Sequence, residues 1–123
     1  MMLRRWHTTD ETGASECNFA EGVARIMNNR SIYLRLLNKF KDTDNMSGLR
    51  NAVESGDHEK IRMEAHTLKG VAANLGLNGL SGKAADLDNA LREGHGDQIS
   101  ALMERIEASF IATMAEIAAY IAE

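Results

Sequence analysis

One histidine within a long amphipathic segment is the residue best placed for chemistry. On a helical wheel of about 100° per residue, one side of this segment is apolar and must be buried; it consists of Ile61, Ala65, Leu68, Ala72 and Leu75. The opposite side carries His66, with Arg62, Lys69, Gly70 and Ala73 around it. An exposed imidazole beside cations and small residues offers a nucleophilic nitrogen, nearby positive charge and room for a large partner. We therefore expect the chemistry at His66.

The neighbours of His66 indicate an anionic group as its reaction partner. Lys69 lies one turn after the histidine and Arg62 one turn before it, so both can pair with a phosphoryl group. Gly70 lowers helix stability by roughly 1 kcal/mol relative to alanine. A glycine in the middle of an exposed helical face is explained if the missing side chain lets a partner's phosphoryl group approach the imidazole in line.

The same stretch resembles the signature of histidine-containing phosphotransfer (Hpt) domains, the intermediates of two-component phosphorelays. The motif reads Ala65-His66-x-Leu68-Lys69-Gly70-x-Ala72-x-x-Leu75-Gly76. The surroundings agree, with Leu49-x-x-Ala52 and Gly56-Asp57 before the motif and Leu80-x-x-x-Ala84-x-x-Leu87-x-x-Ala90 after it. The resemblance covers residues 15 to 120 approximately, which is nearly the whole chain.

This resemblance implies a role for each matching position. His66 would be phosphorylated at its outer ring nitrogen, Lys69 would stabilise the phosphoryl group, and Gly70 would provide access. In this family a polar residue on the neighbouring helix often orients the imidazole. Twenty-two positions after the histidine this chain has Asp88, where the family often has Gln or Glu. The shorter side chain leaves two alternatives, a supporting contact behind the imidazole or a merely solvated position.

Composition indicates one helical domain. The chain has 123 residues, of which 44% are hydrophobic, and this suits a folded domain with a single modest core. It contains no proline and is rich in good helix formers such as Ala, Leu, Glu and Arg. The sequence thus predicts an all-α fold.

Charge and cysteine usage restrict the classes of partner and location. The net charge of -4 argues against a nucleic-acid partner, which would require a basic surface. Cys17 is the only cysteine, so no intramolecular disulfide can form, as is typical of a reducing compartment. Residues 1–7 carry positive charge without an apolar run behind them, which predicts neither a signal peptide nor a membrane span. We expect a cytoplasmic protein that binds no membrane.

Apolar spacing divides the chain into helices and a leader. Residues 1–17 are predicted to be a flexible leader and residues 18–123 a helical bundle domain. Four long amphipathic segments, around residues 30–41, 57–75, 78–93 and 97–121, predict an antiparallel four-helix bundle. Additional short N-terminal helices are expected near residues 19–27 and 47–55. We expect Ser31, Asp57 and Asp97 to cap their helices, and Gly56 to end the third helix.

Two motifs that superficially suggest other functions fail on their spacing. The stretch from Asp42 to Val53 lacks the third oxygen ligand, the glycine and the bidentate glutamate of a calcium loop. The glycine-rich run from Gly76 to Lys83 has the wrong spacing for a nucleotide-binding loop and follows a helix instead of a strand. His7, His58 and His95 share no metal-ligand spacing with each other or with Cys17, so we expect no metal site.

Without a nucleotide site, a phosphorylatable histidine must receive its phosphoryl group from another protein. We therefore expect a phosphotransfer protein and not an enzyme with its own nucleotide. Receiver domains of response regulators or hybrid histidine kinases would be the partners, and Mg²⁺ would be held by the receiver, with no cofactor bound by this chain. Docking would use Arg62, Met63, Ala73 and Asp88. The alternative is a non-catalytic adaptor that binds receivers or a kinase. The initiating methionine close to the domain favours a free-standing protein.

Overall fold

The computed structural model describes residues 16–123, which form helices and no strand. The six α-helices are α1 (Phe19–Arg25), α2 (Arg30–Asp42), α3 (Ser47–Ser55), α4 (His58–Asn74), α5 (Asn78–Arg92) and α6 (Ile99–Ala122). A short 3-10 turn, Gly96–Gln98, precedes α6. The predicted all-α class is confirmed for this part of the chain, and the first fifteen residues of the predicted leader lie outside the described residues.

The four longest helices, α2, α4, α5 and α6, share one apolar core. Their short connections make α4 and α5, and then α5 and α6, antiparallel neighbours, and α2 packs against α6. The short helix α3 lies against α4, and α1 lies against α2. The fully buried side chains of the core include Leu37, Ile61, Ala65, Leu80, Leu87, Ile106 and Ile117. This architecture confirms the predicted bundle with additional short helices.

The ends of α3 and α4 follow the sequence prediction. Gly56 has a φ of +75° and ends α3, a conformation that glycine adopts without steric penalty. The Asp57 side chain accepts hydrogen bonds from the backbone N–H groups of Glu59 (3.1 Å) and Lys60 (3.2 Å) at the start of α4. The direction of α4, which carries His66, is therefore set by a turn and a cap that the sequence encodes locally.

Two predicted caps are wrong. Helix α2 begins at Arg30, and the cap is the Asn29 side chain, which accepts from the N–H of Ile32 at 3.0 Å; Ser31 already lies inside the helix. Asp97 lies within the 3-10 turn, so α6 begins at Ile99 without a side-chain cap. In both places the chain turns into the helix at a different polar residue from the one that the sequence singles out.

The segment before α1 is packed against the end of the bundle at which α4 ends and α5 begins. The Glu116 carboxylate accepts from the backbone N–H groups of Glu16 (2.8 Å) and Cys17 (3.1 Å). The Asn18 N–H donates to the Gly76 carbonyl, and the Gly79 N–H donates to the Glu16 carbonyl, both at 2.7 Å. We call residues 16–18 the anchored segment. Glu16 and Cys17, which the sequence assigns to the leader, are thus hydrogen-bonded to Glu116 of α6.

Aromatic rings gather at the same end of the molecule. The ring of Tyr120, near the end of α6, stacks on Phe19 with centroids 4.2 Å apart and meets Tyr33 edge-on at 6.2 Å. The Tyr33 hydroxyl donates to the Leu75 carbonyl at 2.6 Å. Helix α1 and the end of α4 are thereby joined to α6.

Candidate functional site

Helix α4 presents His66 to solvent as the sequence pattern predicts. Ile61, Ala65, Leu68 and Ala72 are buried, whereas the His66 side chain is 55% exposed. The helical period places the apolar positions on the side facing the core and the histidine on the outer side. The imidazole is consequently accessible to a macromolecule without any rearrangement of the bundle.

Asp88 of α5 lies beneath the imidazole and fixes its orientation. Its carboxylate is 1% exposed, and its Oδ2 atom is 3.1 Å from His66 Nδ1. An ionised carboxylate only accepts hydrogen bonds, so this contact requires a hydrogen on Nδ1. In the neutral ring the lone pair then lies on Nε2, the nitrogen away from Asp88. The geometry leaves Nε2 as the ring nitrogen with an available lone pair.

Cations from both helices surround the same carboxylate. Arg92 Nε donates to Asp88 Oδ1 at 3.0 Å, Arg62 Nη1 lies 3.5 Å from that oxygen, and Lys69 Nζ lies 3.7 Å from Oδ2. Burial raises the pKa of the Asp88 carboxyl, but hydrogen bonds from His66 and Arg92 outweigh this effect and hold its pKa below the ordinary value. Asp88 is therefore a buried anion with cations already in place around it. We call His66, Asp88, Arg62, Lys69 and Arg92 the Asp88 cluster.

The cations of the Asp88 cluster differ in how completely they are engaged. Arg62 makes a two-pronged ion pair with Glu59, from Nε at 3.2 Å and from Nη2 at 2.8 Å, in addition to its contact with Asp88. Arg92 uses Nε alone, on Asp88. The arginine that sequence reasoning places beside the histidine is thus the more constrained of the two.

Open space lies beside the imidazole along α4. A Cβ atom added to Gly70 would meet nothing within 4 Å, so this glycine is not required by packing. Met63 and Val71 of α4 are exposed, Met63 beside α3 and Val71 beside α2. Next to Val71 an apolar groove opens between α1, α2 and α4, lined by Ile26, Leu36 and Phe40 among others. The face around His66 therefore has a charged side towards α5 and an apolar side towards α2 and α3.

The structure brings together most of the residues predicted from sequence. His66, Arg62 and Lys69 meet at Asp88, Gly70 leaves the surface open, and Met63 is exposed as expected. Ala73 is half-buried on the same helix. The Asp88 carboxylate is covered and lies behind the imidazole, and its predicted part in partner binding stays a prediction.

Sequence reasoning missed Arg92 and Glu59. Arg92 follows Asp88 by four positions on α5, and Glu59 precedes Arg62 by three on α4. Both spacings place oppositely charged side chains side by side on a helix, so the signal was present in the charge pattern. It could only be used once Asp88 was known to face α4.

The remaining sites considered in the sequence carry no comparable arrangement in residues 16–123. No group of three or more His, Cys, Asp or Glu side chains in this range could hold a metal ion. The Asp44 side chain accepts from the N–H groups of Met46 (3.2 Å) and Ser47 (3.0 Å), which makes it a turn residue at the start of α3. None of the described helices is both long and apolar enough to cross a lipid bilayer.

Comparison with known families gives an independent finding. The family described as Hpt domain matches residues 36–120, from the second half of α2 to the end of the bundle. This range includes every member of the Asp88 cluster. No curated protein and no solved structure matched the chain.

Proposed function

The chain belongs to the Hpt domain family, and we propose from this membership and the site geometry that His66 is its phosphoryl acceptor. Hpt domains are phosphotransfer intermediates of two-component phosphorelays and not kinases, and they interact with receiver domains. The function of this chain is accordingly histidine phosphotransfer. The observation that carries the assignment to His66 is its exposed imidazole held at Nδ1 by a buried carboxylate.

The transfer step follows from that tautomer. The Nε2 lone pair attacks the phosphorus of the receiver's aspartyl phosphate, and the bond between phosphorus and the aspartyl oxygen breaks. The receiver's carboxylate leaves with the electron pair, and the phosphoryl group becomes bonded to Nε2. The proton on Nδ1 stays on the ring, which takes on positive charge in the phosphorylated form. The reverse sequence with another receiver passes the group on.

Asp88 acts in this scheme as a positioning residue. Its carboxylate holds Nε2 outward before the reaction and faces the positive ring after it, at the 3.1 Å contact already present. Lys69 neutralises charge on the transferring group, since its ammonium lies within the same cluster. The aspartate side chain is long enough for this contact, since its Oδ2 atom lies 3.1 Å from His66 Nδ1.

Docking of the receiver would cover both sides of the His66 face. Met63 and the groove beside Val71 provide apolar contact, and Gly70 allows close approach of the receiver's loop. Mg²⁺ would be held by the acidic pocket of the receiver. We propose that the partners of this chain are receiver domains of response regulators or hybrid histidine kinases in the cytoplasm. We propose no binding to nucleic acid or to membranes.

Phosphate labelling tests the assignment of the acceptor. A receiver phosphorylated with labelled phosphate is incubated with the wild type and with His66→Gln. We expect acid-labile, alkali-stable label on the wild type and none on His66→Gln, whereas the matched variants His58→Gln and His95→Gln retain it. Intact receiver binding without label on the wild type would instead identify a non-catalytic adaptor.

Replacing Asp88 tests the positioning role. Asp88→Asn removes the anionic acceptor while keeping the size of the side chain, and we expect single-turnover transfer to slow by about tenfold, the effect of one charge-assisted hydrogen bond. The ¹⁵N resonances of the His66 ring report whether the hydrogen leaves Nδ1. Unchanged transfer together with an altered tautomer would contradict the role of Asp88.

A further inference from the structure

The arginines around Asp88 have different numbers of donors left for a ligand. Arg62 is 24% exposed and uses Nε and Nη2 on Glu59 and Nη1 on Asp88. Arg92 is 52% exposed and uses only Nε. Within residues 16–123 its terminal nitrogens, Nη1 and Nη2, have no hydrogen-bond partner.

We propose that Arg92, and not Arg62, is the guanidinium that binds the phosphoryl group on His66, and that Arg62 serves to brace Asp88. This inference rests on the proposed role of His66 as acceptor. It adds a phosphoryl-binding residue on α5 to the residues of α4 that the sequence motif contains.

The shared carboxylate places Arg92 beside the acceptor. His66 Nδ1 contacts Oδ2 of Asp88, and Arg92 Nε contacts Oδ1 of the same group. The imidazole and the guanidinium are therefore neighbours on two oxygens of one carboxylate. Because Nε is fixed, the N–H groups of the two terminal nitrogens form a planar fork that can donate hydrogen bonds to two phosphoryl oxygens.

Charge compensation favours the same residue. Phosphorylation adds about two negative charges next to a carboxylate that already has its cations. Lys69 can turn from Asp88 towards the phosphoryl group and supply one positive charge. Arg62 could supply a second only by leaving Glu59, to which it is bound at 2.8 Å and 3.2 Å. Arg92 can do so without breaking a hydrogen bond, because its bond to Asp88 uses Nε alone.

Three variants measured in parallel test this assignment. Arg92→Ala removes the fork, Arg92→Lys keeps the charge without the fork, and Arg62→Ala is the matched control on the opposite helix. Each is first compared with the wild type for affinity to the unphosphorylated receiver. Single-turnover transfer is then measured at saturating phosphorylated receiver, together with the ¹⁵N resonances of the His66 ring and the ³¹P resonance of the phosphohistidine.

We expect Arg92→Ala to slow transfer by about tenfold or more, with receiver affinity and ring tautomer unchanged. Arg92→Lys should recover part of the rate, and Arg62→Ala should slow transfer by less than about threefold. The ³¹P resonance should move in Arg92→Ala and stay in place in Arg62→Ala.

Several results would overturn the proposal. An equal or larger loss of rate in Arg62→Ala would show that Arg62, and not Arg92, contacts the phosphoryl group. A change of tautomer in Arg92→Ala would reduce Arg92 to a support for Asp88, and a change confined to receiver affinity would make it a docking residue. Absence of label on His66 of the wild type would overturn the proposed function itself. If the wild type is labelled on His66 and Arg92→Ala transfers at the normal rate, only the inference about Arg92 is wrong.

Discussion

Asp88 and Glu116 are both buried carboxylates, but they are satisfied in opposite ways. Asp88 is held by the ends of side chains, an imidazole and three cations from α4 and α5. Glu116 is held by backbone N–H groups of the anchored segment, at 2.8 Å and 3.1 Å. Side-chain partners can turn towards a new anion, whereas backbone donors cannot leave without moving the chain. The first carboxylate is therefore suited to chemistry and the second to holding the fold together.

The glycines near these carboxylates show the same contrast. Gly70 beside His66 has open space where a Cβ atom would be. Gly79, near the anchored segment, has Glu16 in that place, and Gly76 lies against Asn18 and has a φ of +75°. Missing side chains provide access at one site and close backbone packing at the other.

Replacing each of the two carboxylates by an amide should show that Glu116 mainly affects the stability of the fold and Asp88 mainly affects phosphotransfer. Glu116→Gln replaces an acceptor by an amide NH₂ that faces a buried backbone donor, so we expect a loss of about 2–3 kcal/mol in the free energy of unfolding. Phosphotransfer by the folded fraction should stay normal. Urea unfolding followed by circular dichroism measures the loss.

The control for this loss is Glu104→Gln, an exposed position on the same helix, which should change stability by less than about 0.5 kcal/mol. Asp88→Asn should give the reverse pattern, with slow transfer and a smaller loss of stability. Slow transfer in folded Glu116→Gln would break the distinction between the two sites.

The glycines allow a second, smaller test. Gly70→Ala should raise the free energy of unfolding by about 0.5–1 kcal/mol, because alanine stabilises a helix and its methyl group meets no neighbour. Gly79→Ala should lower it by about 1–3 kcal/mol, because its methyl group overlaps Glu16. Gly70→Gln should also raise the stability, because glutamine is a good helix former, but it should slow transfer from the receiver. Thermal unfolding and single-turnover labelling of the same samples give both values, and a stabilising Gly79→Ala would contradict the packing argument.

Acid should produce the smallest effect. The pKa of the Asp88 carboxyl lies below its ordinary value despite burial, because His66 and Arg92 donate to it, and an unfolded aspartate has a pKa of about 3.9. The ionised carboxylate thus stabilises the fold above about pH 3.9, and this contribution is lost as pH falls through the lowered pKa. Between about pH 5 and pH 2 the wild type should lose more stability than Asp88→Asn. Parallel denaturant titrations at each pH measure the difference, and identical slopes would show that Asp88 is not preferentially ionised in the fold.

The sequence predicts the helices well because each carries its own apolar period. Helix ends were harder to predict, as at Asn29 and Asp97, because several neighbouring polar residues could each act as a cap. Only the backbone conformation at the turn decides between them.

At the site, the residues of α4 could be predicted because one helical period fixes their relative directions. The contact between Asp88 and His66, and with it the place of Arg92, depends on the rotation and depth of α5 against α4, which no single segment encodes. The same is true of Glu16 and Glu116, which lie one hundred positions apart. Local pattern therefore determines the exposure of His66, and packing between helices determines which side chains support its ring.

The grouping of both tyrosines of the chain at one end has a practical consequence for spectroscopy. Tyr33 and Tyr120 lie beside Phe19 and the end of α4, whereas His66 is about two and a half turns further along that helix. Their ring resonances can therefore record loosening of α1, while imidazole resonances independently record events at the acceptor. A single sample observed over time shows whether the middle and the C-terminal end of α4 respond together or separately when a receiver binds.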